Sequence, residues 1–156
     1  MWTPLRARDL APLVLGLIAV DMWVLANTLP AVVTTDGAFR GWTLTLLGWM
    51  GIFAGPLSIV GWSANGWALG AVFVRAWAWG YADRGDGLSR LAMALALAAV
   101  ACSAVGILWM TTSRYVLAIE IGTWVWPASL VVFLGSTLWW AQSRRHRVAV
   151  TGRWGV

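Results

Sequence analysis

The chain has 156 residues, of which 60% are hydrophobic and only 11% are charged, with a formal net charge of +5. A soluble domain carries about 25% charged residues and needs them to cover its surface, so this composition excludes an ordinary soluble protein and predicts a single membrane domain over residues 1–156. No basic face with interleaved stacking aromatics lies outside the apolar runs, so we expect no nucleic-acid partner.

The first predicted span covers residues 10–33, more than the roughly 20 residues that cross the hydrocarbon core. Asp21 lies eleven residues into it, near the middle of the bilayer by the rise per residue of a helix. An ionised carboxylate is costly there unless it is protonated, paired or wetted. Asp21 is therefore the sharpest chemical signal in the sequence.

The next apolar run, residues 42–82, is about twice as long as one crossing requires, so it must fold back on itself. The one local break signal is the Ser-Ala-Asn-Gly sequence at 63–66, because Asn-Gly adopts the left-handed conformation that ends a helix. We therefore predict two spans within this run, at 42–62 and 66–82.

Two more spans follow a polar loop that begins at Asp83. The fourth predicted span, 88–112, is rich in Ala and Leu, and a very short turn leads to the fifth, 115–141. Residues 142–156 form an arginine-rich tail. Because no strand-like alternation is evident, the predicted fold class is an all-α, polytopic integral membrane helix bundle with five transmembrane helices.

The number of spans depends on residues 66–82, which are short for a span and contain Arg75. If they cross, the positive-inside rule places the N-terminus outside and the C-terminal tail in the cytoplasm. The alternative is four spans plus a re-entrant or interfacial helix, with both termini inside and a better arginine balance. Five spans are favoured because residues 68–78 lack the charged face of a surface helix. The predicted location is the bacterial inner membrane.

In the five-span arrangement, Arg75 also falls near the middle of the bilayer. The sequence then predicts a buried charge pair between Asp21 and Arg75 across two helices, since the guanidinium fork suits a carboxylate. The alternative is an Asp21 that carries protons.

Small residues and tryptophans mark further candidate positions. Gly51 with Gly55, and Gly66 with Gly70, have the four-residue spacing that lets helices approach closely in lipid. Tryptophan is enriched at membrane–water interfaces, and the chain has 14. The predicted interfacial anchors are Trp42, Trp62, Trp67, Trp77, Trp79, Trp139 and Trp140.

Missing residue types narrow the predicted function. The one histidine, His146, lies in the tail and the one cysteine is Cys102, so we expect no metal and no cofactor bound through His or Cys ligands. Apolar contacts to lipid, carotenoid or quinone are compatible with the composition.

No catalytic constellation is evident, so we expect no enzyme. The predicted function is a non-catalytic accessory subunit that packs against membrane lipids and other integral membrane subunits, for example in a respiratory or photosynthetic complex. The alternative is a small oligomeric proton- or cation-coupled transporter that uses Asp21.

Overall fold

The computed structural model describes residues 7–47, 56–80 and 85–151 of the chain. These residues form helices and short strands in the order α1 (Ala7–Thr28), β1 (Pro30–Thr34), β2 (Gly37–Arg40), α2 (Gly41–Leu47), α3 (Pro56–Gly80), α4 (Gly85–Thr112), β3 (Val116–Ile119) and α5 (Ile121–Thr151).

Four helices in the described ranges are long and apolar enough to cross a membrane, where the sequence predicted five. α2 is described over 7 residues, fewer than the roughly 20 that a crossing needs. The chain is thus a mostly helical protein with helices of membrane-spanning length. The candidate spans are Leu10–Thr28, Leu57–Ala78, Gly87–Thr112 and Ile121–Ser143.

The predicted break at 63–66 is wrong, because α3 continues through it as one helix of 25 residues. The Asn65 side chain does not form a turn but joins helices, since its Oδ1 accepts hydrogen bonds from the indoles of Trp23 and Trp126. Tertiary contacts therefore override the local turn preference of Asn-Gly. Residues 56–80, which the prediction divided between two spans, form the one helix α3, and residues 48–55 of the span predicted at 42–62 lie outside the described residues.

α3 and α4 pack against each other along a seam of small residues, which we call the small-residue seam. Small side chains recur at alternating intervals of three and four residues on both helices, the spacing of a left-handed helix pair. Buried alanines of the two helices share clusters, as Ala71 does with Ala96 and Ala78 with Ala92. Arg75 is the one large residue of the series, which consists of Gly61, Ala64, Ala68, Ala71, Arg75 and Ala78 on α3, and Ser89, Ala92, Ala96, Ala99, Ser103 and Gly106 on α4.

α1 and α5 form the second closely packed pair, again through small residues. A Cβ atom added to Gly122 would lie 3.2 Å from the carbonyl oxygen of Ala26, and one added to Gly16 would lie 3.3 Å from the Ser136 hydroxyl. α5 also packs against α4, so the two pairs form one four-helix bundle.

A three-stranded antiparallel sheet, ordered β2–β1–β3, covers one end of the bundle. The sequence predicted no sheet, and residues 30–33 and 116–119 fell within the predicted first and last spans. These strands are apolar and directly continue the apolar runs, so hydropathy merges them with α1, which ends at Thr28, and with α5, which begins at Ile121. The predicted all-α class is therefore corrected to a helix bundle with a small sheet.

The chain order gives the bundle two distinct ends. α1 and α4 lead into strands, and α5 follows one, so all three have an end at the sheet. α3 begins there too, because the Trp62 indole donates a hydrogen bond to the backbone oxygen of Thr45 in α2. We call this the sheet end, and the opposite end, where α3 is followed by α4, the loop end. The start of α1 and the last part of α5 both lie towards the loop end.

Candidate functional site

Asp21 lies on the outer face of α1. The buried face of this helix contains Ala19 and Ala26. Asp21 is two residues from Ala19 and therefore roughly 160° away around the helix, and its side chain is exposed. Its neighbours on the outer face, Leu17 and Val24, are 57% and 50% exposed. The outer face of α1 thus carries one carboxylate in an otherwise apolar surface.

Arg75 is buried in the bundle, where all of its partners are neutral. Its Nη1 donates a hydrogen bond to Ser136 Oγ at 2.6 Å, and its Nη2 donates to the carbonyl oxygen of Pro12 at 2.8 Å. The Ser136 hydroxyl also donates to this carbonyl, at 2.6 Å. The guanidinium carbon lies 5.6 Å from the centre of the Trp140 ring, within the range of a cation–π interaction. Dipoles and an aromatic face therefore stabilise this arginine.

The predicted Asp21–Arg75 charge pair is not formed. The prediction placed Arg75 near the middle of a separate span, but in the continuous α3 it lies only five residues before the helix end at Gly80. Its partner Pro12 precedes Asp21 by nine residues, about 13 Å along α1. Asp21 also faces away from the bundle, so the two side chains differ both in depth and in direction.

The glycines predicted to pack helices give mixed results. Gly51 and Gly55 lie outside the described residues. A Cβ atom on Gly70 would make an ordinary contact with Leu95 of α4, 3.6 Å away, whereas one on Gly66 would meet open space. A close approach of α3 and α4 is instead made by two glycines of the small-residue seam, Gly61 and Gly106, which were not among the predicted positions.

The tryptophans predicted as interfacial anchors have different environments. Trp62 is partly buried, and its indole N–H donates to the backbone oxygen of Thr45 at 2.8 Å. Trp140 is only 3% exposed and packs on Arg75, so it is a core residue rather than an interfacial anchor. The side chain of Trp79 lies outside the described part of the structure. Trp42, Trp77 and Trp139 are about half exposed, as contact with the membrane interface requires. Trp67 is exposed to a similar degree, but in the continuous α3 it lies at the middle of the candidate span Leu57–Ala78 and not at its end.

A cavity of about 270 Å³ lies at the sheet end, between the sheet, α2 and the four long helices. Every described helix and strand contributes to its lining, which is mostly apolar. Neither Asp21 nor Arg75 belongs to the described lining. We call it the aromatic cavity because its lining includes Phe39, Trp62, Trp109, Tyr115 and Trp126.

Asn65 is the polar residue that joins three helices at the aromatic cavity. Its Oδ1 accepts hydrogen bonds from Trp23 Nε1 at 3.1 Å and from Trp126 Nε1 at 3.0 Å. Because an indole nitrogen can only donate, the two bonds fix which side of the amide carries the oxygen. The Asn65 NH₂ group then has no acceptor among the described residues, and Asn65 lines the cavity. Asn65 thus brings N–H donors without a described acceptor to the lining of an apolar, aromatic cavity.

A second polar chain holds α2 against the bundle. Thr45 Oγ1 donates to Asn27 Oδ1 at 2.6 Å, and Asn27 Nδ2 donates to the backbone oxygen of Trp23 at 2.8 Å. The sequence predicted no role for Asn27 or Thr45, and it predicted Asn65 only as part of a helix break. Side-chain amides inside apolar runs were the available signal, because a buried amide must find hydrogen-bond partners.

No three His, Cys, Asp or Glu side chains come together as a metal site would require in the described part of the chain. No protein-family model matches the chain, and comparisons with curated proteins and with solved structures also find no match. Function must therefore be inferred from the chain's own residues and their arrangement.

Proposed function

We propose that the protein is a non-catalytic subunit of a larger membrane protein complex, and that the outer face of α1 binds a transmembrane helix of another subunit. The observation that carries this proposal is the exposed position of Asp21 within the candidate span Leu10–Thr28. A carboxylate at the centre of a membrane-crossing helix costs about 2.5–3.5 kcal/mol on insertion scales, so exposure to lipid is unfavourable. A partner helix that covers this face removes that cost.

Charge complementarity defines the chemistry of the partner. A basic side chain near the middle of the partner helix would neutralise Asp21 and would itself avoid exposure to lipid. The residues around Asp21 support a helix–helix contact, since Leu17, Val24 and Leu25 are all at least half exposed. They offer apolar surface on both sides of the carboxylate.

The arginine distribution supports an orientation in the cytoplasmic membrane with the loop end inside. Only Arg40 and Arg114 lie in the segments at the sheet end. Arginines favour the cytoplasmic side of a membrane, so both ends of the chain are proposed to lie there. The arginines in the segments that flank the loop end are Arg6, Arg8, Arg84, Arg90, Arg144, Arg145, Arg147 and Arg153.

The alternative function is a small oligomeric proton- or cation-coupled transporter that uses Asp21. Such a transporter needs Asp21 beside a water-accessible path. The described lining of the aromatic cavity does not include Asp21, so the geometry favours the subunit.

Site-specific photo-crosslinking in native membranes tests the proposal. A photoreactive phenylalanine derivative replaces Leu17, beside Asp21, or Leu97, which is 59% exposed on α4 and serves as the control position. We expect a crosslink from position 17 to a different membrane protein, and its loss on Asp21→Asn. Asp36→Asn, which removes an exposed carboxylate from the hairpin turn, should leave the crosslink unchanged.

Two results would contradict the subunit. A crosslink from position 17 only to a second copy of the chain would favour the oligomeric transporter. A crosslink that is equally strong with Asp21→Asn would show that the carboxylate does not recognise the partner. If a partner is found, exchanging Asp21 and its basic residue between the two chains should restore the crosslink lost in either single variant.

A further inference from the structure

We propose that the aromatic cavity binds the ring of a quinone, with the Asn65 amide donating a hydrogen bond to a quinone carbonyl. This inference does not depend on the proposed α1 interface, because no residue of the outer α1 face lines the cavity. It rests on three properties of the cavity: its unused donor, its aromatic walls and its level in the bundle.

The donor gives the cavity a preference for a carbonyl. The two indoles that bond to Asn65 Oδ1 leave both amide N–H groups without an acceptor among the described residues. Asn65 is half-buried and lines the cavity, so a ligand acceptor in the cavity can pair with these N–H groups. The other side-chain amide of the lining, Asn27, already donates to the backbone oxygen of Trp23. Asn27 keeps one N–H group and Asn65 keeps both, so Asn65 is the amide with the larger capacity for a ligand.

The walls favour a flat ring. Five aromatic side chains line the cavity, and aromatic faces and edges pack well against another planar ring. The volume of about 270 Å³ is just below the roughly 300–1,000 Å³ typical of small-molecule sites, which suits a ring system rather than a large ligand.

The level of the cavity in the bundle also fits. Asn27 lies one residue before the end of α1, and Trp109 lies three residues before the end of α4. The cavity therefore begins at the level where the candidate spans end, near the membrane interface, and extends inward to Asn65, eight residues inside the candidate span Leu57–Ala78. An amphiphile with a polar ring and an apolar tail places its ring at this level.

Equilibrium dialysis of the full chain in lipid nanodiscs, against empty nanodiscs, tests the proposal. The two probes are dimethylnaphthoquinone, methylated at both free quinone positions so that it cannot add to Cys102, and dimethylnaphthalene, which has the same ring system without carbonyls. We expect the quinone to bind about tenfold more tightly than the hydrocarbon, which corresponds to about 1.4 kcal/mol.

Two variants separate hydrogen bonding from shape. Asn65→Asp in its ionised form keeps an acceptor for both indoles but has no donor, so at a pH that ionises it the variant should bind the quinone no more tightly than the hydrocarbon. Thr43→Phe fills the lining from α2, where the Thr43 hydroxyl has no hydrogen bond in the described structure, and should weaken both probes about tenfold. The matched control, Thr111→Phe at an exposed position of α4 outside the lining, should change neither affinity.

The proposal is overturned if the two probes bind equally well, since the cavity then recognises only apolar bulk, or if neither binds. It is also overturned if folded Asn65→Asp, in its ionised form, retains the quinone preference. Should Asn65→Asp fail to fold, Thr43→Phe still decides, because quinone binding that is unchanged in this variant would place the site elsewhere.

Discussion

A Cβ atom added to Gly61 would lie 2.5 Å from the Cα of Gly106, so α3 and α4 touch backbone to backbone at this point. Packed helices commonly lie about 8–10 Å apart, a distance set by the side chains between them, and glycine removes that spacer. The rest of the small-residue seam keeps the two helices close, because Ala and Ser occupy every position except that of Arg75. Close van der Waals packing therefore stabilises this pair.

Gly61→Ala should lower the free energy of unfolding by about 1–3 kcal/mol, because the added methyl group meets backbone that cannot move aside. The matched control is Gly66→Ala, five residues along the same helix, where a Cβ atom meets open space. It should be neutral or stabilising by about 0.5–1 kcal/mol, since alanine favours helix. Unfolding by SDS in mixed micelles, followed by circular dichroism, measures both. Equal effects of the two substitutions would contradict the close approach.

Arg75→Gln should destabilise the bundle, because it removes the guanidinium bonds to Ser136 and Pro12. Asp21→Asn should not rescue it, and the effects of the two substitutions should add to within about 0.5 kcal/mol. Ser136→Ala, by contrast, should be coupled to Arg75→Gln by about 0.5–3 kcal/mol. Double-mutant cycles on the free energy of unfolding make the comparison. Recovery of stability in the Asp21→Asn, Arg75→Gln double variant would instead indicate an ion pair.

Asn65→Leu should cost about 1–3 kcal/mol for each of the two indole N–H groups that it leaves without an acceptor. In a background that already carries Trp23→Phe and Trp126→Phe, the same substitution should cost much less, since no donor is then left unsatisfied. The difference between the two backgrounds, from unfolding titrations, measures the bridge. An equal cost in both backgrounds would mean that Asn65 stabilises the bundle by packing alone.

If all four candidate spans cross a membrane, Asp36 and Ser143 lie on opposite sides of it, whereas the five-span prediction placed them on the same side. In a Cys102→Ala background, a membrane-impermeant maleimide added to intact cells should label Asp36→Cys. Ser143→Cys should be labelled only after permeabilisation. Labelling of both positions in intact cells, or of neither, would contradict four crossings.

The sequence predicted the positions of the apolar segments well. It predicted poorly where each helix begins and ends and which side of a helix faces the bundle. The predicted span at 88–112 lies within α4. Such a span can be predicted because a long apolar run forms a membrane-spanning helix in most contexts. The strand at Val116–Ile119 was not found because its apolar residues adjoin a span, and hydropathy does not separate the two. A hydrogen bond between residues distant in sequence, such as that from Trp23 to Asn65, keeps α3 helical where the local sequence favours a turn.

The candidate site was less predictable than the fold. The depth of Asp21 could be estimated by counting residues, but the count does not show which side of α1 faces the bundle. The spacing of small residues on α4, from Ser89 to Gly106 at intervals of three and four, was available and would have identified its packed face. The aromatic cavity could not have been predicted, since it is formed by segments from both halves of the chain.

Because β1 is the central strand of the sheet, its two edges are paired at different times during synthesis. Thr34 pairs with Gly37 on one edge almost at once, but its partner on the other edge, Val116, follows 82 residues later. At about 5–20 residues per second, ribosomes need about 4–16 s to make that stretch. During this interval the central strand keeps an open edge, and the cavity lacks its β3 and α5 walls. The lining of the cavity is therefore accessible to other molecules during synthesis, and it becomes enclosed only when β3 and α5 have been made.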